Sequence, residues 1–151
     1  MGDNASAAAA DRRGDTGRME IVSKLPDPEV SVYEAAGGAP FFTGLVDAFY
    51  AHVAADDVLL RLYPEQHDLG PARERLTLFL IQYWGGPTTY SDERGHPRLR
   101  MRHAPFAVGE RERDHWLAAM TAALDELAPS APLRERFDSY FAMAADAMRN
   151  I

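Results

Sequence analysis

The sequence predicts an all-α fold, a single domain carrying four substantial helices, and three observations predict it. Apolar residues recur at the three-and-four spacing of a helix face in four separate stretches, and no stretch alternates as a strand does. The 151 residues are one domain's worth. Hydrophobic residues make up 46% and charged residues 26%, ordinary for a globular chain that buries a core.

Residues 1–28 read as a flexible extension, because they are rich in Ala, Gly, Asp and Arg and hold little to bury; residues 29–151 are left as the folded domain. In "SVYEAAGG", Ser31 and Glu34 have the spacing of a capping box and Gly37-Gly38 stop the chain, so a two-turn helix is expected. From Phe41 to Ala55, the positions Phe42, Leu45, Val46, Phe49, Tyr50 and Val53 form one apolar stripe, the first long helix. After a break at Asp56-Asp57, "VLLRLYPEQHDLGP" reads as a short helical turn and a loop carrying Tyr63. Pro71 suits the first turn of the second long helix, whose inward face is Ala72, Leu76, Phe79, Leu80 and Tyr83 and which Gly85-Gly86-Pro87 ends.

Residues 88–107 are polar and Pro-bounded, with helix expected only around Arg98 to Ala104. Trp116, Met120, Ala123 and Leu127 mark the third long helix, which stops before Pro129. In the fourth, Ser130 is the expected cap, Pro132 fits the start, and Leu133, Phe137, Phe141, Ala144 and Met148 make the core face.

Composition excludes several classes of function. A formal net charge of −7 disfavours non-specific nucleic-acid binding, which depends on neutralising phosphates. With no cysteine there is no disulfide framework, thiolate nucleophile, iron–sulfur cluster or thioether-linked cofactor. No uninterrupted apolar run is long enough to span a bilayer, and Ala7 to Ala10 are too weakly hydrophobic for a signal peptide's core, so no membrane association and a cytoplasmic location are expected. "GGPTTY" lacks the Lys-Ser/Thr ending of a phosphate-binding loop, and no internal repeat or heptad is present.

The chemistry-bearing residues gather around one unusual stretch. From His96 to Phe106, "HPRLRMRHAPF" sets three arginines and two histidines among Leu99, Met101 and Phe106 in an acidic chain. An imidazole at His103 with guanidinium groups round its edge suits a large, flat, apolar ligand with carboxylates at its rim; taken alone, His103 is equally a surface or satisfied core residue. Zinc has weaker footing: His96 and His103 with His67 or His115 would supply three nitrogens, but no pair has one-turn spacing. Tyr50, Tyr63 and Trp116 stand where burial would oblige a hydroxyl or indole N–H to find a partner, and each alone is compatible with packing. Arg75, next to the inward Leu76, is by default solvated, its other role being to reach an acidic group at the pocket rim. No Ser-His or Cys-His grouping supports a catalytic triad.

Together, "FYAHV" with Tyr50, "RLYPE" with Tyr63, "YWGGPTTYSDERGHPRLRMRHAPF" with His103 and "ERDHWLAAM" with Trp116 resemble the group II truncated haemoglobins, over about Ser31 to Ile151. The resemblance implies a two-over-two helical sandwich around a non-covalent haem b, with Gly37-Gly38, Gly85-Gly86 and a loop-like segment over residues 88–98 as family features. It makes His103 the proximal iron ligand, its other ring nitrogen donating to a backbone carbonyl a turn earlier or to water. It sets Phe106 against the ring, Leu76, Phe79 and Leu80 as an apolar wall, and Arg75 and Arg102, with Arg98 or Arg100, near the propionates. Ala72 stands where common globins carry a distal histidine, so Trp116 N–H and Tyr63 O–H are the implied donors to the gas ligand, with Tyr50 bonded to Tyr63 or to the ligand itself.

The function this implies is reversible binding of oxygen, carbon monoxide or nitric oxide, with slow oxygen release because preorganised donors favour a ligand that draws charge. The alternative is a haem redox enzyme, a nitric oxide dioxygenase or a peroxidase, in which Tyr50, Tyr63 and Trp116 carry oxidising equivalents. The chain shows no flavin or nicotinamide motif, so turnover would need a separate reductase. A homodimer is left open, and a haem-free helical interaction domain is the third reading.

Overall fold

The computed structural model describes residues 30–151, and among them all regular structure is helical. The extension expected over residues 1–28 lies outside the described residues. Four long helices carry the fold: α2 (Ala39–Ala54), α4 (Gly70–Tyr83), α7 (Glu110–Leu127) and α8 (Ala131–Ala147). Short helices join them: α1 (Val32–Ala36), α3 (Asp57–Leu60), α5 (Thr89–Arg94) and α6 (Leu99–His103). Helix α2 packs on α4 and α7 packs on α8, and the α2–α7 contact lays one pair over the other. No helix among the described residues is long and apolar enough to cross a membrane.

The core sits where α2 meets α7. The α2 stripe expected from spacing, Phe42, Leu45, Val46, Phe49, Tyr50 and Val53, is buried, and all but Tyr50 are fully so. Each fully buried Leu, Val or Phe stabilises the fold by about 1.5–3 kcal/mol. Met120, Ala123 and Leu124 of α7 and Phe137 of α8 close the core from the other layer.

Helix α1 is five residues, shorter than the two turns expected, because Gly37 and Gly38 both take positive φ directly after Ala36. Ser31 caps it, its hydroxyl accepting the Glu34 N–H at 3.1 Å. The double glycine that ends α4 has a second reason to lack side chains. Tyr33 N–H donates to Trp84 O at 2.9 Å as α1 crosses the end of α4. A Cβ at Gly85 would stand 2.6 Å from Ser31 Cβ, and one at Gly86 would stand 2.7 Å from Ile81 Cγ2 and 2.8 Å from the Tyr33 ring.

Three further expectations are corrected. Tyr83, assigned to the inward face, is 49% exposed, while Leu80, Ile81 and Trp84 beside it are buried: at the end of α4 the core-facing side runs through these three positions and leaves Tyr83 outside. Ser130 stands at the N-cap of α8 but makes no side-chain capping bond. The segment before Arg98, read as loop, contains α5: Gln82 of α4 caps it from outside, its Oε1 accepting the Ser91 N–H at 2.9 Å and its Nε2 donating to Ser91 Oγ at 2.6 Å.

Candidate functional site

A cavity of about 490 Å³ opens between the two layers, within the range of small-molecule and cofactor sites. Its lining comes from α2 through α8 and the loops after α3 and α6, so it exists only once the fold has closed.

One wall presents hydroxyls and an indole. Tyr50 from α2 and Tyr63 from the loop meet edge to face with ring centroids 5.6 Å apart. Phe49 braces both sides of this wall, its ring 5.0 Å from Tyr50 and 5.2 Å from Trp116 of α7. Burial, and then the neighbouring Tyr63 phenol, push the Tyr50 phenol far up; burial also pushes Tyr63 up, against the opposing pull of Tyr50 and Arg75. Both tyrosines therefore keep their protons at neutral pH and remain hydroxyl donors. Trp116 borders the cavity and its indole N–H is a donor only.

The loop carrying Tyr63 is tied to the helix carrying Trp116. Asp56 caps α3, accepting the N–H groups of Val58 and Leu59 at 2.9 and 3.2 Å, and its other carboxylate oxygen lies 2.8 Å from His115 Nδ1 on α7. Burial alone would raise the Asp56 carboxyl, but these hydrogen bonds outweigh it and hold the group below its ordinary range. The sequence had offered His115 only as a zinc ligand; its observed partner is Asp56.

The opposite wall holds His103, the last residue of α6. Its Nδ1 lies 2.7 Å from Leu99 O. A carbonyl oxygen brings no proton, so Nδ1 donates in this contact and Nε2 is the ring nitrogen left outside it, the one that a metal ligand of this orientation would use. The carbonyl four residues back is thus the partner, of the two alternatives the sequence left open.

Side chains brought from elsewhere in the chain hold this wall in shape. Arg102 Nε donates to Pro97 O at 2.6 Å, and its terminal nitrogen to Arg94 O at 3.3 Å. Asn150, at the chain's end, donates to Phe106 O at 2.7 Å and His103 O at 3.3 Å, while its Oδ1 accepts the Val108 N–H at 2.9 Å.

Between the walls, Leu76, Phe79 and Leu80 of α4 and Phe106 after α6 supply apolar surface. Arg75, Arg94 and Arg102 border the cavity, a cationic edge suited to carboxylates. Arg75 also reaches Glu65 Oε1 at 3.4 Å, an exposed pair of little energetic weight.

The cavity thus gathers Tyr50, Tyr63, Arg75, Leu76, Phe79, Leu80, Arg102, His103, Phe106 and Trp116. Arg98 is the exception: it is exposed and outside the lining, in a left-handed conformation with φ 46° just before α6, its N–H donating to His96 Nδ1 at 3.1 Å. Sequence reasoning missed Tyr90 and Arg94, which α5 brings to the cavity, and Tyr140, which α8 brings. A tyrosine one residue before the Phe141 stripe position was the available signal for the last.

Residues 31–150 match the family model described as "Bacterial-like globin". The chain is 40% identical over 103 residues to the Group 2 truncated hemoglobin YjbI of Bacillus subtilis, covering 68% of this chain and 76% of that protein. A thermostable hemoglobin from Thermobifida fusca superposes with a TM-score of 0.79 at 57% identity, over 81% of this chain and 98% of that one. A truncated oxygen-avid haemoglobin from Bacillus subtilis does so with a TM-score of 0.75 at 37% identity, over 80% and 99%.

Proposed function

The chain belongs to the bacterial-like globins as a group II truncated haemoglobin, a haem protein that binds gaseous ligands such as oxygen, and we propose that it holds haem b non-covalently on His103 and releases oxygen slowly. The carrying observation is the pairing, across one cavity, of an imidazole whose Nδ1 is committed to Leu99 O with a wall of proton-bearing donors.

The residues present fit such a group. His103 Nε2 is the free nitrogen for iron, the apolar walls suit a porphyrin face, and Arg75, Arg94 and Arg102 suit its propionates. A chain without cysteine has no thiol for a thioether attachment, which supports non-covalent binding. Bound haem supplies an iron that takes up diatomic gases reversibly.

This chain's residues then decide which gas stays. Trp116 N–H and Tyr63 O–H donate to a ligand that carries partial negative charge, and Tyr50, with its proton held by burial, steadies Tyr63. Oxygen gains from those donors and carbon monoxide gains little; nitric oxide is a third ligand of the same site. A structural neighbour described as oxygen-avid supports slow release. A hydrogen bond to a partly charged acceptor is worth about 1.5–3 kcal/mol, and about 1.4 kcal/mol is tenfold in an equilibrium.

Stopped-flow displacement of oxygen by carbon monoxide tests the reading. Trp116→Phe should raise the oxygen dissociation rate at least about tenfold by the same arithmetic, and an unchanged rate removes Trp116 from the account. A second reading, peroxidase-like redox chemistry at the same haem, is favoured by an exposed tyrosine packed against a tyrosine of the cavity wall.

A further inference from the structure

We propose that Tyr83 is a surface oxidation site where small phenols give up single electrons, passed inward through Tyr140 to the haem. The proposal rests on the haem reading above and gives its redox branch an exit. Tyr140 borders the cavity from α8 and is 9% exposed. Its ring lies 4.2 Å, centroid to centroid, from that of Tyr83, the shortest ring-to-ring separation among the described residues. Tyr83 is the one aromatic among the exposed large hydrophobic side chains there, at 49%. Two rings thus join the cavity to solvent.

Proton chemistry directs the route. A phenol that loses an electron becomes a strong acid and settles as a neutral radical only if its proton has somewhere to go. Tyr140 is poorly placed to shed its proton to bulk water: it is 9% exposed, and burial, then the adjacent Tyr83, push its phenol up. Tyr83 gives its proton to water. The oxidising equivalent therefore passes Tyr140 and comes to rest on Tyr83.

The neighbouring alternatives are less suited. Trp84 touches both rings, at 5.1 Å from Tyr83 and 5.4 Å from Tyr140, but it is buried and the Arg136 guanidinium stands 6.0 Å over its face. A cation there is attracted to the electron-rich ring and opposes a positive hole on it. Tyr90 is buried beneath Arg94 in the same way, at 5.8 Å. On the far wall, Tyr50 is 4% exposed and its ring neighbours, Phe49 and Tyr63, open no path to a half-exposed phenol.

The oxidant is hydrogen peroxide, whose O–O bond breaks as it takes up two electrons and two protons and leaves as two waters. The electrons come one at a time from Tyr83, which each time sheds its phenolic proton and is restored by an electron and a proton from a phenol at the surface. Two phenols thus become two phenoxyl radicals for each peroxide. Without a donor, Tyr83 radicals of two chains join by a carbon–carbon bond and the hydrogen on each joined ring carbon moves to the phenolic oxygen, giving a dityrosine-linked dimer.

The test treats the ferric, haem-loaded full chain with hydrogen peroxide in the presence of a nitroso spin trap and maps the adduct by peptide mass spectrometry, alongside Tyr83→Phe and Tyr140→Phe. Phenylalanine preserves the ring contact, and the Soret band reports that haem is still held. The expected result is an adduct on Tyr83 that falls sharply in Tyr140→Phe, with dityrosine dimers and phenol oxidation both lost in Tyr83→Phe. If peroxide changes the haem spectrum but the adduct sits elsewhere and Tyr83→Phe oxidises phenol as before, the exit is overturned while the redox reading stands. If peroxide leaves the haem spectrum unchanged, the redox reading fails and the exit with it.

Discussion

The two walls of the cavity are built by different means. The Tyr50, Tyr63 and Trp116 wall is anchored on long helices, with Tyr50 and Phe49 in the packed stripe of α2 and Trp116 on α7, and Tyr63 of the loop after α3 lies against Tyr50. The His103 wall rests on a five-residue helix without a single buried residue, at the end of a segment held by Gln82, Arg102 and Asn150. Buried apolar area fixes the first wall and hydrogen bonds from distant residues fix the second. The proposed donor Trp116 therefore sits on a long packed helix and Tyr63 leans on another through Tyr50, whereas the proposed iron ligand sits on the part that side-chain clamps assemble.

That contrast is open to direct attack. The largest effect is expected from Asn150→Ala, which strips the Phe106 and His103 carbonyls of a donor and leaves the buried Val108 N–H without its acceptor. An unsatisfied buried group costs about 1–3 kcal/mol, so the melting temperature should fall and haem transfer to apomyoglobin should quicken, with the oxygen dissociation rate held. Trp116→Phe should do the reverse, changing oxygen release with little change in haem retention. If both variants altered both quantities alike, the walls would be one unit and the contrast would collapse.

A smaller effect separates two serines that look alike in sequence. Ser31→Ala removes the acceptor of the Glu34 N–H and should cost about 0.5–2 kcal/mol in thermal or chemical denaturation. Ser130→Ala removes no capping bond and should sit near wild type. Equal losses would show that position alone, and not the observed bond, governs the cap.

The same contrast explains what was legible. The α2 stripe could be read because a period of three and four residues is written locally and burial follows it. The lining from Tyr50 to Trp116 was legible because a family resemblance adds residue roles to that periodicity. Helix α5 was not: "TYSDER" has no apolar period, and its cap, Gln82, belongs to the preceding long helix. Asn150 gave no sign either, since an asparagine near the chain's end has no local pattern that announces three backbone partners. The resemblance offered Arg98 or Arg100 as a propionate partner, whereas the backbone turn before α6 leaves Arg98 exposed and outside the lining.

The central claim is that His103 holds haem iron opposite the donor wall, and the most direct measurement is the optical spectrum of the purified protein. Ferric, dithionite-reduced, oxygenated and carbonylated samples should be recorded with His103→Ala alongside. The account predicts a five-coordinate ferrous form that converts to stable oxygen and carbon monoxide complexes, with the native spectrum lost in the variant and recovered on adding imidazole. An unchanged spectrum in the variant, or no haem uptake by the folded wild type, would contradict it.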